Sequence, residues 1–325
     1  MKSFAGKIAV ITGGGTGMGR ELARQLAAEG CHVAICDVSE ESMAQTKAIC
    51  ERGSPRGTRV STTLADVSDE PAVLAFRDAV AREHRTDHIH LLFNNAGIGA
   101  AGSFIEDERD DWEKTFGVCW FGVYYCSRAF VPMLIKSPEG HLINTSSVNG
   151  FWASLGPTTA HTSYSTAKFA VKGFTEALIN DFRVNAPHVK VSVVMPGHIG
   201  TSIIINSARI LGRDPKEMPD EQVQEARESI ARLGWDVGGA TNDEIRQLLQ
   251  LRAEIFRDQA PMSAAEAAKI ILDGVREERW RILVGEDAHI LDRMVREAPE
   301  EAYEASFMER FVAASGWKLT PNNPG

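Results

Sequence analysis

The alternation of short β-branched apolar runs with longer stretches of helical periodicity constrains the fold of this chain most strongly. Strands are predicted at residues 7–12, 32–38, 60–66, 89–94, 141–147, 190–195 and 280–284. Between the first six lie segments such as 19–30 and 71–84, whose apolar residues are three and four apart. This alternation predicts βαβ units and therefore a doubly wound, mostly parallel sheet of the Rossmann type, with helices on both faces.

No strand is predicted from Ser202 to Met262, and residues 202–261 interrupt the alternation with two amphipathic helical patterns. They start near Asp220 and Asn242, and both residue types are favourable N-caps. Because the insertion follows the sixth strand, it lies beside the carboxyl ends of the sheet, where open α/β folds bind ligands. We predict a lid over the substrate, with a subunit contact or a purely structural insertion as the alternatives. Residues 1–325 are predicted to form a single domain, and 286–325 to be an extension with a frayed end.

A glycine-rich turn follows the first predicted strand and opens the first helix. Gly13, Gly17 and Gly19 permit a tight turn and let backbone N–H groups approach a pyrophosphate. The positive end of the following helix favours an anion at the same place. Such a turn is weak evidence by itself, but its position between a strand and a helix is typical of dinucleotide-binding sites.

Asp37, at the end of the second predicted strand, bears on the choice of dinucleotide. A carboxylate at this position accepts hydrogen bonds from the adenosine ribose and repels a 2′-phosphate. Thr16 precedes Gly17 and Val38 follows Asp37, so neither of these positions carries a basic side chain for that phosphate. NAD is therefore predicted in preference to NADP. The structural alternative is an Asp that caps a helix or stabilises a turn.

The spacing T-G-x-x-x-G-x-G at residues 12–19 resembles that of the short-chain dehydrogenase/reductase family. Four further motifs follow in the family's order: Asp66-Val67, Asn94-Asn95-Ala96-Gly97, the Y-x-x-x-K pair Tyr164 and Lys168, and Pro196-Gly197 with Thr201. The resemblance covers about residues 5–201 and, weakly, 262–285.

The resemblance implies a nicotinamide dinucleotide site. Its residues are Gly13, Thr16, Gly17, Met18, Gly19, Asp37, Asp66, Val67, Asn94, Ala96, Gly97, Tyr164, Lys168, Pro196, Gly197, Ile199 and Thr201. It also implies a homodimer or homotetramer formed through the helices after the fourth and fifth strands. No metal site is expected.

Tyr164 and Lys168 are four residues apart, so on a helix their side chains leave the same face. Hydride transfer to a ketone produces an alkoxide that must be protonated, and alcohol oxidation needs the reverse proton transfer. An ordinary tyrosine has a pKa of about 10 and is a poor base at neutral pH. A neighbouring ammonium lowers that pKa, so Tyr164 is predicted to be the general acid/base. By resemblance, Lys168 also holds the nicotinamide ribose.

Ser147 matches the family serine that hydrogen-bonds the reacting oxygen. Ser146 is the neighbouring candidate, but strand alternation sends the two side chains to opposite faces. Ser147, immediately before Val148, matches the position of the family serine, so it is predicted to be the third catalytic residue.

The loop between Ser147 and Tyr164 is longer than is common in the family. It is predicted to bulge over the substrate site, where Phe151, Trp152 and Leu155 either line an apolar pocket or pack the loop. His161 either touches the substrate or lies behind the site or on the surface.

Cys119 stands where the family often has an asparagine within a V-N-x-x-G pattern. In the family that asparagine helps to anchor a water that relays protons from the active-site lysine. The aromatic neighbours of Cys119 predict a buried, unreactive thiol, and we expect a backbone carbonyl to hold the water. A reactive catalytic thiol is the alternative.

The composition narrows the possible partners and the compartment. A net charge of −9 argues against a nucleic-acid binder, which needs a basic surface. The first residues lack the pattern of a secretory peptide, and no uninterrupted apolar run is long enough to cross a bilayer. The five cysteines show no C-x-x-C pair, which favours free thiols in the cytoplasm.

We therefore predict an NAD-dependent oxidoreductase that interconverts a secondary alcohol and its ketone. The long insertion favours a bulky, apolar substrate. The alternatives are a non-catalytic NAD-binding regulator, an NADP-preferring carbonyl reductase, and a lyase or epimerase that uses NAD transiently.

Overall fold

The computed structural model describes residues 1–317, except 100, 101, 107, 158, 233 and 234. The predicted frayed end, in the last eight residues, lies outside the described part. The strands, in chain order, are β1 Ile8–Thr12, β2 His32–Asp37, β3 Val60–Leu64, β4 Leu91–Asn94, β5 Gly140–Thr145, β6 Val189–Pro196, β7 Ile199–Gly200, β8 Met262–Ser263 and β9 Arg281–Val284. The helices are α1 Gly17–Ala28, α2 Glu40–Gly53, α3 Glu70–His84, α4 Arg109–Phe116, α5 Gly122–Lys136, α6 Thr162–Asn185, α7 Ile203–Ile210, α8 Asp220–Arg232, α9 Asn242–Asp258, α10 Ala264–Arg276, α11 Glu286–Glu297 and α12 Ala305–Ser315.

Seven of these strands form one parallel sheet in the order β3-β2-β1-β4-β5-β6-β9. All seven predicted strands are present, with ends that differ from the predicted ones by at most two residues. The predicted doubly wound α/β fold is confirmed. The strand order reverses direction between β1 and β4, and this is the place where such sheets bind ligands.

Strand β1 shows why both faces of the sheet are covered. All five of its residues are buried, and successive side chains point to opposite faces. Ala9 and Ile11 belong to a cluster with apolar residues of α1 and α10. Ile8 and Val10 belong to a second cluster, with residues of α3, α5 and α6. A strand that is buried on both faces needs a continuous apolar run, as predicted.

The helical run Arg109–Lys136 is long and apolar enough, by length and composition, to cross a membrane. It consists of α4, a π-helical turn over Gly117–Phe121 and α5. Over half of its most apolar stretch is buried inside the protein. Cys126, Phe130 and Leu134 lie in the core cluster against the sheet, so the packing of a core helix accounts for the apolar sequence.

The described residues of the insertion after β6 form three helices rather than two. The predicted α8 and α9 are present, and Thr241 rather than Asn242 caps α9, in a capping box with Glu244. The additional helix, α7, was not predicted. The first residue of β8, Met262, pairs with Ile199, so the expectation of no strand up to Met262 is wrong at its last residue.

Helices α8 and α9 have a small hydrophobic core of their own. Its buried members are Met218, Val223, Ile230, Val237 and Ile245. The two helices therefore form a helical hairpin that is packed internally.

The C-terminal extension packs against the loop that follows β5. Trp152 is 1% exposed, and its indole N–H donates to the carbonyl of Ala302 at 2.6 Å. Its ring contacts those of Phe307, Phe311 and Trp317, with centroids about 6 Å away. Trp152 thus joins two segments that are far apart in the sequence.

We expect Trp152→Ala to lower the free energy of unfolding by about 3–5 kcal/mol, because it removes the largest side chain of this cluster and leaves a cavity. Chemical denaturation monitored by circular dichroism measures the effect. Trp280→Ala is the matched control, since Trp280 is 46% exposed. Equal losses in the two variants would contradict the assignment of Trp152 to a core.

Candidate active site

The turns that follow β1 and β4 are joined by one hydroxyl group. The Thr12 Oγ1 accepts hydrogen bonds from the backbone N–H groups of Asn95 and Ala96, both at 3.0 Å. The Asn95 side-chain amide donates back to the carbonyl of Thr12 at 3.1 Å. The glycine-rich turn and the N-N-A-G turn therefore form one rigid edge at the reversal point of the sheet.

The glycines of the first turn are required by close approach. A Cβ at Gly13, whose φ is +65°, would lie 2.8 Å from the Cα of Ala96. A Cβ at Gly19 would lie 2.0 Å from the carbonyl oxygen of Gly13. Gly19 therefore lets α1 start directly against the turn, which leaves the N-terminus of α1 open to a bound anion.

Asp37 lies at the open end of this turn. Its carboxylate accepts hydrogen bonds from the N–H groups of Gly15, at 2.9 Å, and Ser39, at 3.1 Å. These bonds fix the carboxylate, which lines the cavity described next. The position suits recognition of ribose hydroxyls.

A cavity of about 380 Å³ runs along this edge. The predicted cofactor residues that line it are Gly13, Thr16, Gly17, Met18, Asp37, Asp66, Val67, Ala96, Gly97 and Thr201. The lining combines backbone N–H groups at a helix start, a carboxylate at one end and an apolar cleft at Val67 and Ile98. These are the groups that a dinucleotide's pyrophosphate, ribose and ring systems need, so the residues fit such a cofactor.

The structure does not bring every predicted cofactor residue to this cavity. The Asn94 side chain is buried, and its amide donates to Asn144 Oδ1 at 2.8 Å and to Ser127 Oγ at 3.0 Å. Gly19 lies beneath the turn. Pro196 ends β6, Gly197 lies in the turn that follows and Ile199 begins β7, and none of the three lines the cavity. Tyr164 and Lys168 do not line it either.

The three predicted catalytic residues come together at the carboxyl end of β5 and the start of α6. The Ser147 side chain lies close enough to the Tyr164 phenol to lower its pKa, and the Lys168 Nζ lies 5.4 Å from the centre of the Tyr164 ring. Lys168 is 3% exposed, and its ammonium donates to the carbonyl of Thr145 at 3.0 Å. This arrangement can pass a proton between Tyr164 and a bound oxygen atom.

Burial dominates the electrostatics of this group. Burial, and after it the charge interaction with Cys119, raise the pKa of the Tyr164 phenol above its ordinary value, and the Ser147 side chain opposes that rise only in part. The predicted lowering of this pKa by the neighbouring ammonium is therefore wrong, because the cost of burying the phenolate is larger. Burial also lowers the pKa of the Lys168 ammonium. Both shifts follow from the cost of a charge away from water.

Ser146 and Ser147 differ as strand alternation predicts. The Ser146 Oγ donates to the backbone carbonyl of Lys168 at 2.7 Å, so it fastens β5 to α6. The Ser147 Oγ accepts from the N–H of Asn149 at 3.1 Å and keeps its own proton for Tyr164 or a substrate. Ser146 is therefore occupied structurally.

With this geometry in view, comparisons with known proteins identify the family. The model of the short chain dehydrogenase family matches residues 7–209. The chain belongs to the short-chain dehydrogenase/reductase family. Enzymes of this family are oxidoreductases that use nicotinamide cofactors and act on small molecules.

Individual relatives agree with this assignment. The chain is similar to an oxidoreductase of Mycobacterium tuberculosis named SadH, with 34% identity over 99% of each chain. It is also 35% identical to meso-2,3-butanediol dehydrogenase of Serratia marcescens, over 62% of this chain and 74% of that one. A short-chain dehydrogenase/reductase of Burkholderia phymatum, solved in complex with NAD, has a TM-score of 0.72 and 30% identity, covering 92% of this chain and 96% of that one.

The departure of this short-chain dehydrogenase/reductase from its family's pattern lies in the π-helical turn. Cys119 is fully buried, as predicted, and its thiol donates to the carbonyl of Ile98 at 3.2 Å. The wider turn bonds Gly122 N–H to the carbonyl of Gly117, and π-bulges of this kind are frequent at functional sites. A Cβ at Gly97 would lie 3.5 Å from Lys168 Nζ and 3.7 Å from Cys119 Sγ. The thiol therefore lies beside the lysine.

Helix α7 supplies cofactor-cavity residues that were not predicted. Ile203, Asn206 and Arg209 line the cavity, and the Asn206 amide donates to Thr16 Oγ1 at 3.0 Å. Arg209 is paired with Asp214 at 2.9 Å. Three successive isoleucines open this helix and have high β propensity, which hides it in the sequence.

A second unpredicted group holds the turn after β6. A Cβ at Gly197 would lie 2.2 Å from the Asp287 carboxylate, which accepts the His198 N–H at 2.7 Å. The His198 Nε2 donates to the carbonyl of Phe256 at 2.7 Å. Burial raises the pKa of Asp287 and lowers that of His198. The turn is thus held between the start of α11 and the end of α9.

The structure distinguishes the two predicted roles of the long loop. Phe151, Trp152 and Leu155 pack in the cluster with the C-terminal helices. They therefore pack the loop, which supports the second of the two predicted roles. His161 is 8% exposed and contacts the ring of Tyr164, so a surface location is wrong for it.

We expect Cys119→Ala and Cys119→Asn to keep activity within about tenfold of the wild type, a barrier change of about 1.4 kcal/mol. The reason is that the buried thiol donates to a carbonyl and does not face the cavity. Steady-state rates of both variants, with the rate of thiol alkylation with and without NAD, test this. Abolished activity in Cys119→Ala together with inactivation by alkylation would show a nucleophilic thiol.

We expect Asp37→Ser combined with Val38→Arg to raise the ratio of NADP to NAD use. The change removes a fixed carboxylate and adds a cation for the 2′-phosphate. The ratio of kcat/KM values for the two cofactors measures the effect. Arg209→Gln is the control for the cofactor preference. Arg209 is the cationic side chain that α7 places at the cavity, so this variant tests whether Arg209, rather than Asp37, sets the ratio. A wild type that prefers NADP would contradict the assigned role of Asp37.

Proposed function

We propose that this enzyme interconverts a secondary alcohol and its ketone with NAD as the cofactor. Tyr164 is the general acid/base, Ser147 hydrogen-bonds the reacting oxygen, and Lys168 provides a positive charge beside the phenol. The observation that carries the proposal is that the Lys168 ammonium lies 5.4 Å from the Tyr164 ring, with the Ser147 side chain close enough to the phenol to affect its pKa. The cofactor, when bound, supplies or accepts the hydride.

The residues of the chain account for the accompanying proton transfer. In the reducing direction, the neutral Tyr164 hydroxyl donates its proton to the oxygen that Ser147 holds. In the oxidising direction the phenolate removes the proton of the alcohol, and the Lys168 ammonium stabilises that negative charge. The carbonyl of Thr145 holds the ammonium in place at 3.0 Å.

The side chains around the mouth of the site support an apolar substrate. A Cβ at Gly99, just past the N-N-A-G turn, would lie 3.7 Å from Ile203 and 3.8 Å from Ile204. Ile204 is 37% exposed at the start of α7. We propose that the helices of the insertion cover a bulky apolar alcohol or ketone here, since apolar walls favour such substrates.

We also propose a homodimer or homotetramer formed through α5 and α6, in the cytoplasm. Phe121, Tyr124 and Phe169 are between 37% and 41% exposed, on or beside these two helices. Large, partly exposed aromatic side chains on neighbouring helices are typical of subunit interfaces.

A non-catalytic NAD-binding regulator is the competing proposal. Its support is the replacement of the family's usual asparagine by Cys119. The burial of Lys168 argues against it, because keeping an ammonium 3% exposed beside a tyrosine is costly and a binder needs no such pair.

We expect Tyr164→Phe to lower turnover by at least about 10²-fold, the typical cost of losing a general acid/base, while NAD affinity stays within threefold. Lys168→Ala is expected to impair both turnover and NAD binding. Turnover is measured with a panel such as 2-octanol, cyclohexanol and 1-phenylethanol, and NAD affinity by titration calorimetry. Wild-type turnover in Tyr164→Phe would remove Tyr164 from the mechanism, and an inactive wild type that binds NAD would favour the regulator.

The pH dependence has a defined sign. Because burial raises the pKa of Tyr164, its hydroxyl is protonated at neutral pH. We therefore expect the rate of alcohol oxidation to rise with pH up to about 10, as more of the phenolate forms, and the rate of ketone reduction to stay level over that range, because the phenol keeps its proton below its ordinary pKa of about 10. Initial rates in both directions between pH 6 and about 10 measure this. An oxidation rate that falls with rising pH would contradict the assignment.

A further inference from the structure

The imidazole of His161 lies directly against the phenol of Tyr164. The ring centroids are 4.9 Å apart and the ring planes differ by 12°, so the two rings are stacked. Aromatic pairs prefer this offset parallel arrangement at such distances. His161 is 8% exposed and immediately precedes α6. The proposed mechanism assigns this ring no role.

The backbone on both sides of His161 is fixed by one residue. Gly102 forms a parallel β-bridge with His161, and its N–H donates to the carbonyl of Ala160 at 3.1 Å. Its carbonyl accepts the N–H and the hydroxyl of Thr162, both at 3.0 Å. The backbone that carries the imidazole is therefore held in place by Gly102.

Further contacts extend this connection to α4 and α6. The Trp112 indole N–H donates to the Thr162 hydroxyl at 3.2 Å. The carbonyl of His161 accepts the N–H of Ser165 at 3.2 Å, which belongs to the first turn of the catalytic helix. His161 thus lies where the chain beside the N-N-A-G turn meets the helix that carries Tyr164 and Lys168.

The stacked imidazole is one of several contacts of the Tyr164 ring. The ring also packs against the core cluster that contains residues of α3, α5 and α6, and the Lys168 ammonium lies 5.4 Å from the ring centre. A general acid must reach its partner within about 2.6–3.2 Å. A misplacement of about 1 Å costs on the order of 10²-fold in rate. Rotation of the phenol about its side-chain torsions would move the hydroxyl by such a distance, and a stacked ring prevents that rotation.

We propose that His161 is a positioning residue that fixes the ring of Tyr164 and is itself held in place by Gly102. This inference rests on the proposed function, because it assumes that Tyr164 exchanges the proton. The planar ring does this by stacking, so a phenyl ring can replace the imidazole and an aliphatic side chain cannot.

The experiment compares His161→Ala, His161→Leu and His161→Phe with the wild type, on the most reactive alcohol of the panel. The His161→Leu variant keeps much of the buried volume but has no planar ring, so it tests the inference even if His161→Ala does not fold. We expect kcat to fall at least tenfold in His161→Ala and His161→Leu, with KM and NAD affinity within threefold. We expect His161→Phe to retain at least one third of the wild-type kcat.

The controls separate the possible failures. His84 is also a buried histidine, hydrogen-bonded to Ser61, and His84→Ala is expected to lower the thermal midpoint but to keep kcat within threefold. The inference would be overturned if the kcat of His161→Leu stayed within threefold of the wild-type value. It would also be overturned if His161→Phe lost as much kcat as His161→Leu. A parallel fall of NAD affinity and kcat in the His161 variants would overturn it as well. Wild-type turnover in Tyr164→Phe would instead overturn the proposed function itself.

Discussion

The hydroxyl of Thr12 joins the two turns on which the rest of the site depends. By accepting the N–H groups of Asn95 and Ala96, it ties the carboxyl end of β1 to that of β4, where the strand order of the sheet reverses. At this point the helices on the two sides of the crevice diverge and leave room for a ligand. The cofactor cavity opens along this edge because Gly13 and Gly19 allow the backbones to come closer than any side chain would permit.

The catalytic group is built by a second attachment, between β5 and α6. Ser146 fastens the end of the strand to the carbonyl of Lys168, and Lys168 donates to the carbonyl of Thr145. These two bonds set the start of α6 against the strand end, so Ser147 and Tyr164 meet although 17 positions separate them in the chain. Ser147 and Tyr164 thus come from two rigid elements, which is how a precise distance between two side chains can be kept.

The segments outside the sheet brace this arrangement from several directions. Asp287, at the start of α11, supports the turn at Gly197, while α7 covers the cavity through the bond from Asn206 to Thr16. Trp152 joins the loop after β5 to the C-terminal helices. The insertion and the C-terminal extension are therefore part of the structure that holds the site.

The sequence by itself determined the parallel sheet, the family and the placement of Tyr164 and Lys168 side by side on one helix. These features are local: strand alternation, glycine turns and the four-residue spacing of a helix can be read from neighbouring residues. Only the tertiary structure decided that α7 lines the cofactor cavity, that Trp152 is core rather than substrate wall, and that His161 stacks on Tyr164. Trp152 and Ala302 are 150 positions apart, and His198 and Asp287 are 89 apart. Such contacts depend on how whole elements pack, and no local pattern of residues encodes them.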